Sequence, residues 1–178
     1  KSEKPVNPTK LSFKGHIDDL TALFNYLELR SATLVIHDWG GLIGQAALPK
    51  LDGLLRRLVV LDTATGPKMM DTTGLFFFLI WQGFVRICGR HLPIGWVVKH
   101  GAGGTVPMSN EAVAGYDAPF PGPEYKAMPA TWPLLYHHGT FGVRPAYQEA
   151  SGWASGNLKI PVLVAFASDD PLWSTSSA

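Results

Sequence analysis

Cysteine and charged residues are both scarce in this sequence, and each shortage narrows the functions that it can have. Cys88 is the single cysteine, so the chain has no internal disulfide and no cysteine-rich metal site. Charged residues make up 16% of the chain, the formal net charge is +1, and no long basic run occurs. Nucleic acid is therefore not expected as a partner. One lone cysteine is compatible with a reducing compartment, which favours the cytoplasm.

The sequence also lacks an uninterrupted apolar run of the ~20 residues needed to span a bilayer. Its most apolar stretch, Leu75–Trp81, is followed by Gln82, Gly83 and Arg86, which interrupt the pattern. We interpret this stretch as a buried or groove-lining helix and expect no membrane span. Residues 1–5 are polar and do not resemble a signal peptide.

Hydrophobic residues, in contrast, make up 46% of the 178 residues, enough for a sizeable core in one domain with an insertion. Continuous apolar runs predict three parallel strands, which end at His37, at about Thr63 and at about Phe166. A helix is predicted from about Phe13 to Leu29. The stretch between the second and third strands is rich in aromatic residues, glycine and proline, and we predict helices joined by irregular loops there. The predicted organisation is an α/β core over 1–67 and 141–178 and a helical cap over 68–140.

The segment Thr33–Gly44 combines a buried strand, a sharp turn and a helix. Asp38 stands at the tip of the turn, at the carboxyl edge of the predicted sheet, where open α/β sheets bind ligands. Gly40 and Gly41 are expected to allow the tight turn and the close packing of the helix on the strand. This order is that of a nucleophile elbow, usually Gly-x-Ser-x-Gly, although Ile36 replaces the first glycine.

An aspartate in the nucleophile position favours attack on saturated carbon. A carboxylate does not make a simple acyl-enzyme from an ester, but it can attack an sp³ carbon and form an alkyl ester. The alternative is that His37 and Asp38 only cap a helix N-terminus, where acids are favoured. The strand before Asp38 and the Trp39–Gly41 step after it favour catalysis.

Two motifs resemble those of the haloalkane dehalogenase family of α/β-hydrolases. His37–Gly41 is similar to the nucleophile motif of the family, which also occurs in epoxide hydrolases. Tyr116–Pro121, followed by Tyr125–Ala127, is similar to a cap signature and is the more specific of the two. The resemblance covers most of the chain and implies a partial α/β-hydrolase fold, a parallel sheet with an inserted helical cap. It implies cleavage of carbon–halogen bonds in small apolar substrates, without a cofactor or a metal.

The resemblance also implies roles for individual residues. Asp38 would be the nucleophile, and Trp39 would bind the halide and supply half of the oxyanion hole through its backbone N–H. An acidic pair after the third strand is similar to the loop that carries the triad acid. Asp170, directly before a proline, is the better match, and Asp169 is the alternative. In another branch of the family the acid follows the preceding strand, which here makes it Asp62.

Parts of the family's machinery have no match in the sequence. The upstream His-Gly-x-Pro-like loop is not found, and none of the six histidines stands after the acidic pair. The second halide-binding residue is also unassigned. We therefore expect an internal fragment of an enzyme, inactive by itself.

Two other functions stay open at this point. An epoxide hydrolase would need cap tyrosines to protonate the epoxide oxygen, and four tyrosines are available: Tyr116, Tyr125, Tyr136 and Tyr147. A non-catalytic α/β-hydrolase-like protein is the other alternative. A downstream histidine in the flanking sequence would separate an enzyme from this alternative.

Overall fold

The computed structural model describes residues 4, 7, 11–64, 72–101, 107–135 and 143–168 of the chain. The chain divides into two compact units, which are described separately. The first comprises Ser12–Phe76 and Leu135–Ala178, and the second comprises Lys1–Leu11 and Phe77–Leu134.

The first unit is built on a three-stranded parallel sheet in the order β1-β2-β3. The strands are β1 (Ala32–His37), β2 (Leu55–Leu61) and β3 (Val162–Ala165). The register places Leu58 of β2 beside both Leu34 and Val162. Because all three strands run in the same direction, their carboxyl ends meet at one edge. The prediction of a parallel α/β sheet is confirmed.

Among its described residues, this unit contains the whole of three helices, namely α1 (Phe13–Tyr26), α2 (Asp38–Ala47) and α7 (Val143–Asn157). Helix α2 packs on β1 and β2 and contacts α1 and α7. A short 3₁₀ turn at Leu48–Lys50, which contains Pro49, follows α2. Helices and strands therefore alternate along this unit, as the apolar runs predicted.

Helix α1 begins at Ser12, whose Oγ accepts the N–H of Gly15 at 3.0 Å, an ordinary N-cap arrangement. It ends at Tyr26, so the predicted extension to Leu29 was wrong. Leu23 and Leu27, which repeat at helical spacing in the sequence, are 49% and 52% exposed. The buried stripe is narrower than the sequence pattern and is formed by Phe13, Ile17 and Phe24.

The core of the sheet is formed by Ile36, Leu48, Leu58 and Val60. The prediction of a buried strand was wrong for most of β1, in which only Ile36 is buried. The four residues of β3 are all exposed in the described part of the chain. Val35 of β1 is also 58% exposed. The reason is that α2 packs on β1 and β2, whereas β3 mainly contacts its neighbour β2.

The second unit is helical in its described residues. It contains α4 (Ile94–Gly101), α5 (Asn110–Asp117), most of α3 (Thr72–Cys88) and most of α6 (Ala127–Leu135). Short 3₁₀ turns lie at Gly89–His91 and Pro123–Lys126. Ser109 caps α5, and its Oγ accepts the N–H of Ala112 at 3.2 Å.

Helices α4 and α5 meet closely at Gly95. Its N–H donates to Asp117 Oδ1 at 2.9 Å, and a Cβ at this position would lie 2.5 Å from the carbonyl oxygen of Val113. Only glycine therefore fits at this crossing without a shift of the backbone. Elsewhere in the unit, Lys126 Nζ donates to the carbonyl oxygen of Leu92 at 2.8 Å.

Helix α3 is longer than the sequence pattern indicated. The helical span Thr72–His91 has a mean hydropathy of 1.3 over its most apolar window, which is 22% buried, and is long and apolar enough to cross a membrane. Gln82 does not break the helix, because its side chain is buried and donates to the carbonyl oxygen of Pro133 at 2.5 Å. One such helix is weak evidence for a membrane span, since core helices pass the same test.

Candidate functional site

Asp38 lies at the junction between β1 and α2. His37 ends the strand with extended backbone, at φ −148° and ψ 145°, and Asp38 begins the helix at φ +48°. Positive φ is uncommon for a residue with a Cβ and stores strain that is typical of functional turns. The predicted strand, turn and helix are therefore all present, and His37 makes no side-chain cap hydrogen bond.

Small residues let α2 approach the sheet. A Cβ at Gly41 would lie 2.1 Å from Thr63 Oγ1, and one at Gly44 would lie 2.4 Å from Ile36 Cγ2. A Cβ at Gly40 would meet nothing within 4 Å. The close-packing role predicted for Gly41 is confirmed, but Gly40 was wrongly included, because it faces open space.

Two successive residues after β2 hold the backbone of Asp38. Its N–H donates to the carbonyl oxygen of Asp62 at 3.1 Å, and its carbonyl oxygen accepts Thr63 Oγ1–H at 2.7 Å. Thr63 is completely buried. The turn that presents Asp38 is thus fixed from both sides by the neighbouring strand.

The side chain of Asp62 makes a different connection. Its Oδ1 accepts the backbone N–H of Ala167, the second residue after β3, at 2.6 Å. Asp62 has φ +26°, so its backbone is also in the sparsely populated positive region. One residue thus contacts both the elbow, through its carbonyl oxygen, and the segment after β3, through its carboxylate.

Further hydrogen bonds hold Ala64, the next residue along. Its carbonyl oxygen accepts Gln45 Nε2–H at 2.8 Å and the hydroxyl of Tyr147 at 3.0 Å. Gln45 Nε2 also lies 3.1 Å from the carbonyl oxygen of Gly41. Hydrogen bonds thereby join residues 62–64 to α2 and α7, and this restricts the movement of the segment that holds the backbone of Asp38.

No family model matches the chain. Over 177 residues it is 34% identical to a protein of Mycobacterium marinum named haloalkane dehalogenase, with 97% of this chain and 56% of that protein covered. The chain is thus similar to a haloalkane dehalogenase over nearly its whole length. It spans about half the length of the curated relatives that it matches.

A second relative of the dehalogenase-like chain carries a different name. It is 43% identical over 91 residues to a protein of Shewanella oneidensis named cis-3-alkyl-4-alkyloxetan-2-one decarboxylase. The match covers 51% of this chain and 26% of that protein.

The crystal structure of haloalkane dehalogenase DpaA from Paraglaciecola agarilytica superposes with a TM-score of 0.76 at 22% identity. It matches 90% of this chain and 52% of the DpaA chain. This likeness confirms the partial α/β-hydrolase fold predicted for the dehalogenase-like chain.

Of the other predicted site residues, the structure describes some and not others. Trp39 follows Asp38 in the first turn of α2 and is half-buried. Asp169 and Asp170 lie outside the described residues, so their roles stay predictions. Sequence reasoning missed Thr63 and Gln45 as supports of the elbow, because neither belongs to a motif and their contacts depend on the strand register.

The tyrosines considered for epoxide chemistry have different environments. Tyr147 is 1% exposed, and its hydroxyl lies against Ala64 and Gln45 in the first unit. Tyr116 and Tyr125 are exposed in the second unit, and Tyr136 lies outside the described residues. The buried Tyr147 therefore has a supporting position beneath the elbow in the dehalogenase-like chain.

The residues described next, whose pKa values are shifted, belong to α1 and not to the turn at Asp38. Burial lowers the pKa of His16 in α1, and the Asp19 carboxylate opposes this shift. Hydrogen bonds from Lys14 at 2.5 Å and Lys50 at 2.6 Å lower the pKa of the Asp18 carboxyl. Within the described part of the chain, no group of three or more His, Cys, Asp or Glu side chains could hold a metal ion.

Proposed function

We propose that the full-length protein cleaves the carbon–halogen bond of small haloalkanes through an alkyl ester formed on Asp38. The observation that carries this proposal is the carboxylate at the strained turn between β1 and α2, where φ is +48°. The similarity to haloalkane dehalogenases over 97% of the chain supports it.

The first step is a displacement at saturated carbon. The Asp38 carboxylate attacks the carbon that bears the halogen, the C–O bond forms as the carbon–halogen bond breaks, and halide leaves with the bonding electrons. The indole N–H of Trp39 donates to the departing halide, since a fixed donor aimed at developing charge stabilises the transition state.

The second step hydrolyses the ester. A histidine that we place outside these 178 residues activates water, and the backbone N–H of Trp39 stabilises the oxyanion that forms on the Asp38 carbonyl. Asp170 orients the histidine and stabilises its cation, with Asp169 and Asp62 as the alternative acids. Hydrolysis returns the carboxylate and releases an alcohol.

The test uses the full-length protein with chloroalkanes and bromoalkanes. We expect catalytic halide release, together with a transient adduct on Asp38 that mass spectrometry of peptides detects. Asp38→Asn removes the nucleophile and should abolish both signals while the folded state persists in circular dichroism. A folded wild-type protein with neither halide release nor an adduct would contradict the proposal.

A second candidate function is decarboxylation of a β-lactone, which the 43% identity to the Shewanella oneidensis decarboxylase favours. An oxetan-2-one is a four-membered cyclic ester, and loss of CO₂ leaves an alkene. Its ring carbon next to oxygen is saturated, so the same Asp38 carboxylate is suited to attack it. Incubation with a cis-3,4-dialkyl β-lactone separates the two functions, because CO₂ and an alkene form in one case and halide in the other.

A further inference from the structure

We propose that Thr63 is a positioning residue that fixes the nucleophile Asp38 by holding its backbone carbonyl oxygen. This inference rests on the proposed function, since it concerns the attack of Asp38 on carbon. Thr63 follows β2 and belongs to no recognised motif in the sequence. It acts through the peptide of Asp38 and not by contact with the substrate.

The first argument is the geometry of the contact. Thr63 Oγ1 lies 2.7 Å from the carbonyl oxygen of Asp38 and donates to it. The N–H of Asp38 is held at the same time by the carbonyl oxygen of Asp62, at 3.1 Å. With both polar groups of the residue held, the direction of its Cα–Cβ bond, and therefore of the carboxylate, is restricted.

The second argument is that the Thr63 side chain has little room to move. It is completely buried, and a Cβ at Gly41 would lie within 2.1 to 2.5 Å of three of its atoms. Gly41 belongs to the first turn of α2. The Thr63 side chain therefore fills the space between the end of β2 and the start of the helix and fixes their separation.

The third argument is the strain at Asp38. A residue with a Cβ at φ +48° persists only where the surroundings hold it. If the hydroxyl of Thr63 is removed, the strained and partly buried turn at Asp38 loses one of the hydrogen bonds that hold it. Relaxation of that peptide rotates the carboxylate away from the line of attack, and a misplacement of ~1 Å costs about a hundredfold in rate.

The test compares Thr63→Val, which keeps the shape and removes the donor, with Thr63→Ser, which keeps the donor. Single-turnover measurements on the full-length protein give the rate constant for alkylation of Asp38 separately from substrate affinity. We expect Thr63→Val to slow alkylation by roughly ten- to a hundredfold with unchanged affinity. Thr63→Ser should restore a rate close to that of the wild type.

Thr21→Val is the matched control. It makes the same change at a hydroxyl that donates to the carbonyl oxygen of Ile17 at 2.8 Å within α1, and it leaves the bond between Thr63 and Asp38 in place. We expect an alkylation rate close to wild type for this variant.

Two outcomes overturn this inference without overturning the proposed function: Thr63→Val alkylates as fast as the wild type, or Thr21→Val slows alkylation as much as Thr63→Val does. A folded wild-type protein that forms no adduct with haloalkanes or a β-lactone overturns the proposed function and this inference together.

Discussion

The carboxylate of Asp62 accepts the backbone N–H of Ala167 at 2.6 Å, which joins the end of β2 to the segment after β3. In sequence, Ala167 precedes Asp170 by three residues. A hydrogen bond from a backbone N–H to a carboxylate is among the stronger ones in proteins. Asp62 therefore has a supporting role that is independent of any part in acid–base chemistry.

The two roles considered for Asp62 predict different behaviour of Asp62→Asn. The amide oxygen of asparagine still accepts the N–H of Ala167, so a supporting residue should tolerate the change, whereas Asp62→Ala should lower activity. If Asp62 is the triad acid, Asp62→Asn should not be tolerated, because loss of the carboxylate charge lowers kcat by about 10⁴-fold. We expect Asp62→Asn to keep most of its halide release and Asp170→Asn to lose nearly all of it, measured as kcat at neutral pH. The reverse pattern would make Asp62 the acid.

Trp39→Phe tests the halide-binding role. The change removes one indole N–H and keeps most of the ring, and loss of one such donor costs roughly a hundredfold or more in kcat. We expect that loss on bromoalkanes, measured by halide release. Trp96→Phe is the control, since Trp96 is 52% exposed, stacks on Phe84 and makes a tilted ring contact with His100 in the second unit.

The same Trp39→Phe protein separates the candidate substrates. Opening of a lactone or an epoxide releases no halide, so the indole donor should matter much less there. A variant that retains full activity on bromoalkanes would remove Trp39 from the mechanism.

Alanine at Gly40 and Gly41 should affect stability in opposite directions. A Cβ at Gly41 would overlap Thr63, and overpacking of a core costs about 1–3 kcal/mol. A Cβ at Gly40 meets nothing within 4 Å, and alanine favours a helix by roughly 0.5–1 kcal/mol over glycine. Urea unfolding of the two variants measures the difference. Equal destabilisation by both would show that the elbow is less closely packed than described here.

The stability of α1 should depend on the protonation of His16. Burial lowers the pKa of this histidine in the folded state below its usual value of 6.5. The unfolded chain therefore takes up the proton first as pH falls, so stability decreases from about pH 6.5 down to the pKa of the folded state. His16→Gln should reduce this dependence, measured as urea midpoints above and below pH 6.5. An unchanged dependence would show that His16 does not contribute to it.

The sequence was sufficient to predict structure where the pattern lies within one short segment. The apolar run before Asp38 and the small residues after it predict the strand, the turn and the helix, and all of them are present at residues 32–47. The contact between Thr63 and Asp38 could not be predicted in this way, because it joins residues 25 positions apart. It depends on the register that places His37 beside Leu61.

Side-chain exposure was harder to predict than secondary structure. The apolar run of β1 predicted a buried strand, yet Val35 is 58% exposed. Apolar composition shows that a strand is suited to burial, but whether it is covered depends on which other elements pack on it. The same holds for Leu23 of α1 and for Leu27, which directly follows the helix: both repeat at helical spacing but are 49% and 52% exposed.

The last prediction concerns β1 in the isolated 178-residue chain. Among the described strands β1 pairs only with β2, so its other edge presents unpaired backbone groups beside Val35, which is 58% exposed. An apolar edge of this kind pairs readily with other chains. We expect oligomers or poor solubility for the isolated chain, measured by light scattering after size-exclusion chromatography.

Val35→Lys should reduce this association, because a charged side chain on an edge strand opposes pairing between chains. Tyr26→Lys is the matched control, since it adds the same charge at a residue that is 84% exposed and belongs to the end of α1 and not to the sheet. If both lysines improve solubility equally, net charge and not the strand edge governs association. A wild-type chain that is a monodisperse monomer with a cooperative thermal transition would contradict the prediction altogether, because a stable monomer would show that this edge of β1 is not a site of association.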